Sequence, residues 1–138
     1  MICWNSWEEN KLKCLWKCTA LATNPLFPSV ATQTRIRWAG LEPEDFELIT
    51  TYENIRFCKP NPDYYVEILK RLGVKAKNCL MVGNDVGEDM VARDLGIQVF
   101  LLTNCLINKS GADIGQYQNG GFDALRDYLE SEGFCDVR

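Results

Sequence analysis

The chain contains no histidine. That absence removes Ser-His-Asp and Cys-His catalysis at once, because both need an imidazole base. Seven cysteines are present (Cys3, Cys14, Cys18, Cys58, Cys79, Cys105 and Cys135), but they are scattered, odd in number and form no CxxC pair. A zinc site would need four distant thiolates, against the usual ligand spacing. Reduced, mostly buried cysteines in a cytoplasmic protein are the expectation. No apolar run approaches the roughly 20 residues of a membrane span. Glu8, Glu9, Lys11 and Lys13 interrupt any signal-peptide core at the N-terminus. A long Lys/Arg run is missing too, and the net charge is -4. Nucleic acid and anionic membrane surfaces are therefore not expected as partners.

What is there suits one soluble domain. The 138 residues suffice for a single modest core, and 46% hydrophobic with 25% charged residues is ordinary. The order reads helix, then strand and helix alternating four times. Ser6, with Glu9 three residues on, predicts a helix through Lys17 inside an N-terminal segment of residues 1–18. Trp4, Trp7 and Trp16 cluster there as candidate core. A strand over Cys18–Thr23 ends in the Thr23-Asn24-Pro25 turn. Pro28-Ser29 and Gly40 bracket a helix with Val30, Ile36 and Trp38 as candidate buried residues. Phe46–Thr50 predicts a second strand. Pro62 opens a helix with Tyr65, Ile68, Leu69 and Leu72 on its apolar face, and Gly73 ends it. Strands at Leu80–Val82 and Ile97–Thr103 follow, the former leading into a helix from Met90. After a polar loop from Asn104 to Asn119, a final helix carries Phe122, Leu125 and Leu129. Short continuous apolar strands alternating with helices predict an α/β, three-layer fold on a parallel sheet of about four strands.

In such sheets ligands bind where strand C-termini meet helix N-termini. Thr23-Asn24, Lys59 and the pair Asp85 and Asp89 all fall at or near that edge. Two carboxylates four residues apart raise each other's pKa unless a cation neutralises them. A phosphoryl group needs hydroxyl and N–H donors, a cation and a bridging metal. Thr23, Lys59 and the two aspartates could supply the three in turn. Each motif has a bland reading: helix N-terminal acids, a stiff loop before proline, a common turn.

Together the three resemble the haloacid dehalogenase superfamily of hydrolases, mostly Mg²⁺-dependent phosphatases. The matches are Leu21-Ala22-Thr23-Asn24, Lys59-Pro60-Asn61-Pro62, and Val82-Gly83-Asn84-Asp85 through Asp89. The resemblance implies a Rossmann-type core in which Thr23, with Asn24, holds phosphoryl oxygens and Lys59 orients nucleophile and phosphate. It implies Mg²⁺ at Asp85 and Asp89, directly or through water, and a small phosphorylated metabolite as substrate. Asn84 stands where many members have Asp, so either Asn84 or Asp85 leads the metal site.

A further absence qualifies the resemblance. Family members carry Asp-x-Asp-x-Thr/Val near the N-terminus, the first Asp being the nucleophile, but this chain has no Asp before Asp45. Three phosphate and metal ligands do not replace an attacking carboxylate. The family's first strand also lies mid-sheet. Without it the strands ending at Thr23 and Val82 must pair directly, or the core stays incomplete with a gap open to a second copy or a partner strand. The roughly 35 residues between Thr23 and Lys59 leave no room for a large cap domain. The expectation is a single core-domain fragment, truncated and inactive by itself. The alternative is a non-catalytic binding or interaction module that kept the fold. A third is recruitment of Asp45 or Cys58 as nucleophile; whether the chain is an enzyme stays open.

Overall fold

Leu80, Met81 and Cys79 point to opposite sides of one strand, yet all three are buried. That requires protein on both faces, the condition under which a strand reads as a continuous apolar run. The computed structural model describes residues 1–5 and 16–132. Within them lie six strands: β1 (Ile2–Asn5), β2 (Trp16–Leu21), β3 (Leu48–Ile49), β4 (Cys79–Gly83), β5 (Gln98–Leu102) and β6 (Gln118–Gly120). Three helices accompany them: α1 (Ser29–Trp38), α2 (Pro62–Leu72) and α3 (Phe122–Ser131).

The strands form one sheet in the order β3-β2-β1-β4-β5-β6. Pairs β2–β3, β4–β5 and β5–β6 are parallel, whereas β1 is antiparallel to both β2 and β4. Five strands thus share one direction, and the middle one opposes them.

The four expected strands are all present, and two further ones correct the sequence reading. β6 forms at the end of the stretch expected as a polar loop. β1 stands between β2 and β4, so those two neither pair directly nor leave an open gap. Ile2 sits opposite both Thr19 and Leu80, and Cys3 opposite Cys18 and Cys79. The expected helix from Ser6 to Lys17 falls mostly outside the described residues. Its last two positions, Trp16 and Lys17, belong instead to β2, where pairing with Asn5 and Trp4 fixes them extended. Trp7 also lies outside the described residues.

One face of the sheet packs Ala20, Ala22, Met81, Val99 and Leu101 against Tyr64, Tyr65 and Ile68 of α2. The other packs Leu80 and Phe100 against Leu125, Tyr128 and Leu129 of α3. Helices on both faces make the three layers. α2 is well specified locally. The Asn61 side chain accepts the Asp63 N–H, and Pro62 occupies the first turn. Gly73 closes the helix at φ 66°, a left-handed conformation that costs an L side chain about 1–2 kcal/mol.

Three helix expectations are corrected. The segment after β4 is a 3-10 helix, Met90–Leu95, rather than an α-helix. In α1, Thr32 and Ile36 are buried while Val30 and Trp38 are 69% and 82% exposed. Neither buried residue of α1 belongs to the two clusters packed on the sheet faces. Phe122 is likewise exposed, because α3 reaches the core only from Leu125 onward.

The contrast between core and flank is measurable by urea denaturation. Leu80→Ala should cost about 2–5 kcal/mol, the range for buried Leu truncation. Leu26→Ala, at an exposed residue, should stay within about 0.5 kcal/mol.

Candidate functional site

The turn leaving β4 is built by its own acids. Asp85 Oδ1 accepts the backbone N–H groups of Gly87 at 2.9 Å and Glu88 at 3.0 Å. Asp89 Oδ2 accepts those of Asn84 and Asp85, both at 3.0 Å. The carboxylate of Asp89 therefore folds back over Gly83. A Cβ at Gly83 would stand 2.3 Å from Asp89 Oδ2, so only glycine fits there. The turn is tied to the loop after β5 by Asn84 Nδ2 donating to the Cys105 carbonyl at 2.7 Å. Backbone bonds from Val86 and Ile107 join the same loops.

The other oxygen of Asp89 meets Lys59. Nζ and Oδ1 are 2.6 Å apart, with the two side chains only 6% and 7% exposed. Lys59 arrives on the loop before α2, and its backbone N–H donates to Asn24 Oδ1 at 3.3 Å. Asn24 Nδ2 in turn donates to Glu88 Oε2 at 3.4 Å. The loops after β2 and β4 and the one before α2 thus interlock through Asn24, Lys59, Glu88 and Asp89.

Two buried tyrosines brace this assembly from α2. Tyr64 donates to the Thr23 carbonyl at 2.7 Å and lies 3.1 Å from Thr50 Oγ1. Thr50 donates to the same carbonyl at 2.6 Å. Tyr65 donates to the Glu88 carbonyl at 2.8 Å. The Tyr64 ring lies 5.7 Å from the Lys59 ammonium, a cation–π distance. Burial raises both phenols well above the usual tyrosine range, with the charge of Asp89 adding to the effect.

All five sequence-predicted site residues, Thr23, Asn24, Lys59, Asp85 and Asp89, fall at one edge of the sheet. Asp45 does not. It caps a turn ahead of β3, accepting the Glu42 N–H, at the opposite end of the strands. Cys58 is exposed beside Lys59. Thr50, Tyr64, Tyr65 and Glu88 were not singled out as site residues in the sequence. The Tyr64-Tyr65 pair, one residue beyond Lys59-Pro60-Asn61-Pro62, is the signal the sequence offers for them.

Metal ligation can be tested against this geometry. Both oxygens of Asp89 are engaged, and one oxygen of Asp85 caps the turn. Among the described residues no group of three Asp, Glu, Cys or His side chains is arranged to hold an ion. Three carboxylates, Asp85, Glu88 and Asp89, stand against one ammonium. The donor set fits Mg²⁺ only in part, as an ion sharing Asp85 with water and a ligand phosphate.

A family model described as haloacid dehalogenase-like hydrolase matches residues 7–96. The chain belongs to this family. It is 31% identical over 77 residues to the glyceraldehyde 3-phosphate phosphatase of Methanothermobacter thermautotrophicus, covering 50% of this chain and 34% of that one. It is 36% identical over 70 residues to haloacid dehalogenase-like hydrolase domain-containing protein 3 of Danio rerio, covering 50% and 29%. The chain therefore spans about a third of the length of these curated relatives. A solved HAD phosphatase from Thermococcus onnurineus aligns with TM-score 0.57 at 24% identity, over 74% of this chain and 46% of that one. That likeness shows the shared Rossmann-like fold.

Two outcomes check the site. Lys59→Met and Asp89→Asn should each cost about 3–5 kcal/mol in urea denaturation, because either strands a buried partner. The double variant should cost clearly less than their sum. Tyrosine ionisation gives the second. Tyr64 and Tyr65 hold their protons longer in the folded state, so the unfolded state binds fewer protons above about pH 10. Their contribution is complete below that pH and is lost as pH rises. Absorbance titration should show these two phenols ionising only on alkaline unfolding.

Proposed function

We propose that this chain carries the phosphate-holding and metal-facing part of a phosphomonoester hydrolase site. One observation supports this most: Thr23, Asn24, Lys59, Asp85 and Asp89 come from three separate loops and meet at one sheet edge. The Thr23 hydroxyl makes no hydrogen bond among the described residues, which leaves it for a phosphoryl oxygen. Lys59 supplies positive charge held in place by Asp89. The surplus of carboxylate repels a bare phosphate, so a divalent cation is needed alongside it. Asp85 leads that site, with Asp89 acting through Lys59 and the turn. Mg²⁺, when bound, neutralises phosphoryl charge and orients the ester.

The central strand supplies no attacking carboxylate. Antiparallel β1 runs against β2 and β4, and its residues Ile2–Asn5 include no acid. The chain alone is therefore a weak binder with little or no turnover. A small phosphorylated metabolite is the ligand class, in keeping with the glyceraldehyde 3-phosphate named for one relative.

A stand-alone binding module is the second reading. It is favoured by β1, which closes the middle of the sheet from within the chain.

Calorimetry with Mg²⁺ and inorganic phosphate together should give weak binding heat that Asp85→Asn removes; identical heats for both proteins would refute the metal assignment. Hydrolysis of p-nitrophenyl phosphate should not exceed buffer. A rate that disappears in Lys59→Met would refute the inactive reading.

A further inference from the structure

α1 turns an apolar stripe to solvent. Val30, Thr34 and Trp38 follow one another at four-residue spacing, which keeps them near one side of the helix. Val30 is 69% and Trp38 82% exposed. Thr34, midway between them, donates its hydroxyl to the Val30 carbonyl at 2.8 Å. Its polar group is thus satisfied within the helix, and the stripe can lose water without stranding a donor. Nothing in the candidate phosphate site uses these residues.

The charges at the two ends of α1 are opposite. Glu53 sits at its N-terminus, both oxygens accepting the Ser29 N–H at 3.0 Å. Arg35 and Arg37 lie in its last turn. Arg35 is drawn back over the Phe27 ring at 5.4 Å. Arg37 makes only a solvent-exposed pair with Glu42 at 3.5 Å, which holds it weakly. A helix face with an apolar side chain near each end, an acid beside one end and a base at the other complements itself when turned end for end.

We propose that α1 is the contact surface of a homodimer in which two copies pair antiparallel about a two-fold axis near Thr34. Val30 of each copy then lies over Trp38 of the other. Glu53 of each faces Arg37 of the other, and the helix dipoles oppose. The tryptophans supply most of the affinity, as buried aromatic anchors do in other interfaces. The end charges set orientation more than strength. With one helix per side the contact is small, so the dimer is weak and concentration-dependent. The contact differs from the sheet-edge pairing expected from sequence, because β1 fills that position.

Sedimentation equilibrium on the full chain over a wide concentration range tests this. The average mass should rise from monomer toward dimer, and Trp38→Glu should weaken association by at least ~10-fold. Trp38 is exposed, so that variant keeps its fold, which circular dichroism checks. Glu53→Arg should weaken association and Glu53→Arg with Arg37→Glu should recover it. A wild-type chain that stays monomeric, or a Trp38→Glu variant that associates like wild type, overturns the proposal. Failure of the double reversal to recover association overturns the antiparallel arrangement.

Discussion

The contact between Lys59 and Asp89 organises the functional edge. Both side chains are almost wholly removed from water, so neither charge is tolerable without the other. Asp89 cannot swing toward Lys59 independently, since its second oxygen holds the Asn84 and Asp85 N–H groups. The pair therefore fixes two loops at once: the one before α2, through Lys59, and the turn after β4, through Asp89. Gly83 is the steric counterpart of this arrangement, lacking the Cβ that would occupy the carboxylate's place. Asn24 and the two tyrosines extend the same frame to the loop after β2.

The centre of the sheet imposes a different constraint. Strand direction decides which end of a strand reaches the ligand-binding edge. β1 runs against its neighbours, so Asn5 points to the far edge and Met1 to the near one. The loops after β2, β4 and β5 and the one before α2 come together at this edge. Those loops offer a hydroxyl, an ammonium and carboxylates.

The flank of the molecule obeys neither constraint. α1 buries only Thr32 and Ile36 and leaves its larger apolar side chains in water. A domain of this size has few residues to spare for its core, and neither buried residue of α1 belongs to the two clusters packed on the sheet faces. The exposed stripe is where tertiary packing ends and association between molecules can begin.

Much of this was legible in the sequence. Period and punctuation marked four of the strands, α2 between Asn61 and Gly73, and the three loops bearing Thr23, Lys59 and Asp85, because those features depend on neighbours within a few residues. The family followed from the same three motifs. The decisive tertiary facts depend on long-range pairing, which local pattern does not encode. Four residues at Ile2–Asn5 carry no periodicity long enough to announce a strand, and its antiparallel insertion depends on the open edges of β2 and β4. The partnering of Asp89 with Lys59, the bracing by Tyr64 and Tyr65, and the exposure of Val30 and Trp38 are likewise set by what packs beside them. Sequence determined which groups stand at the loop ends; only the assembled sheet decided which of them meet, and which are left facing water.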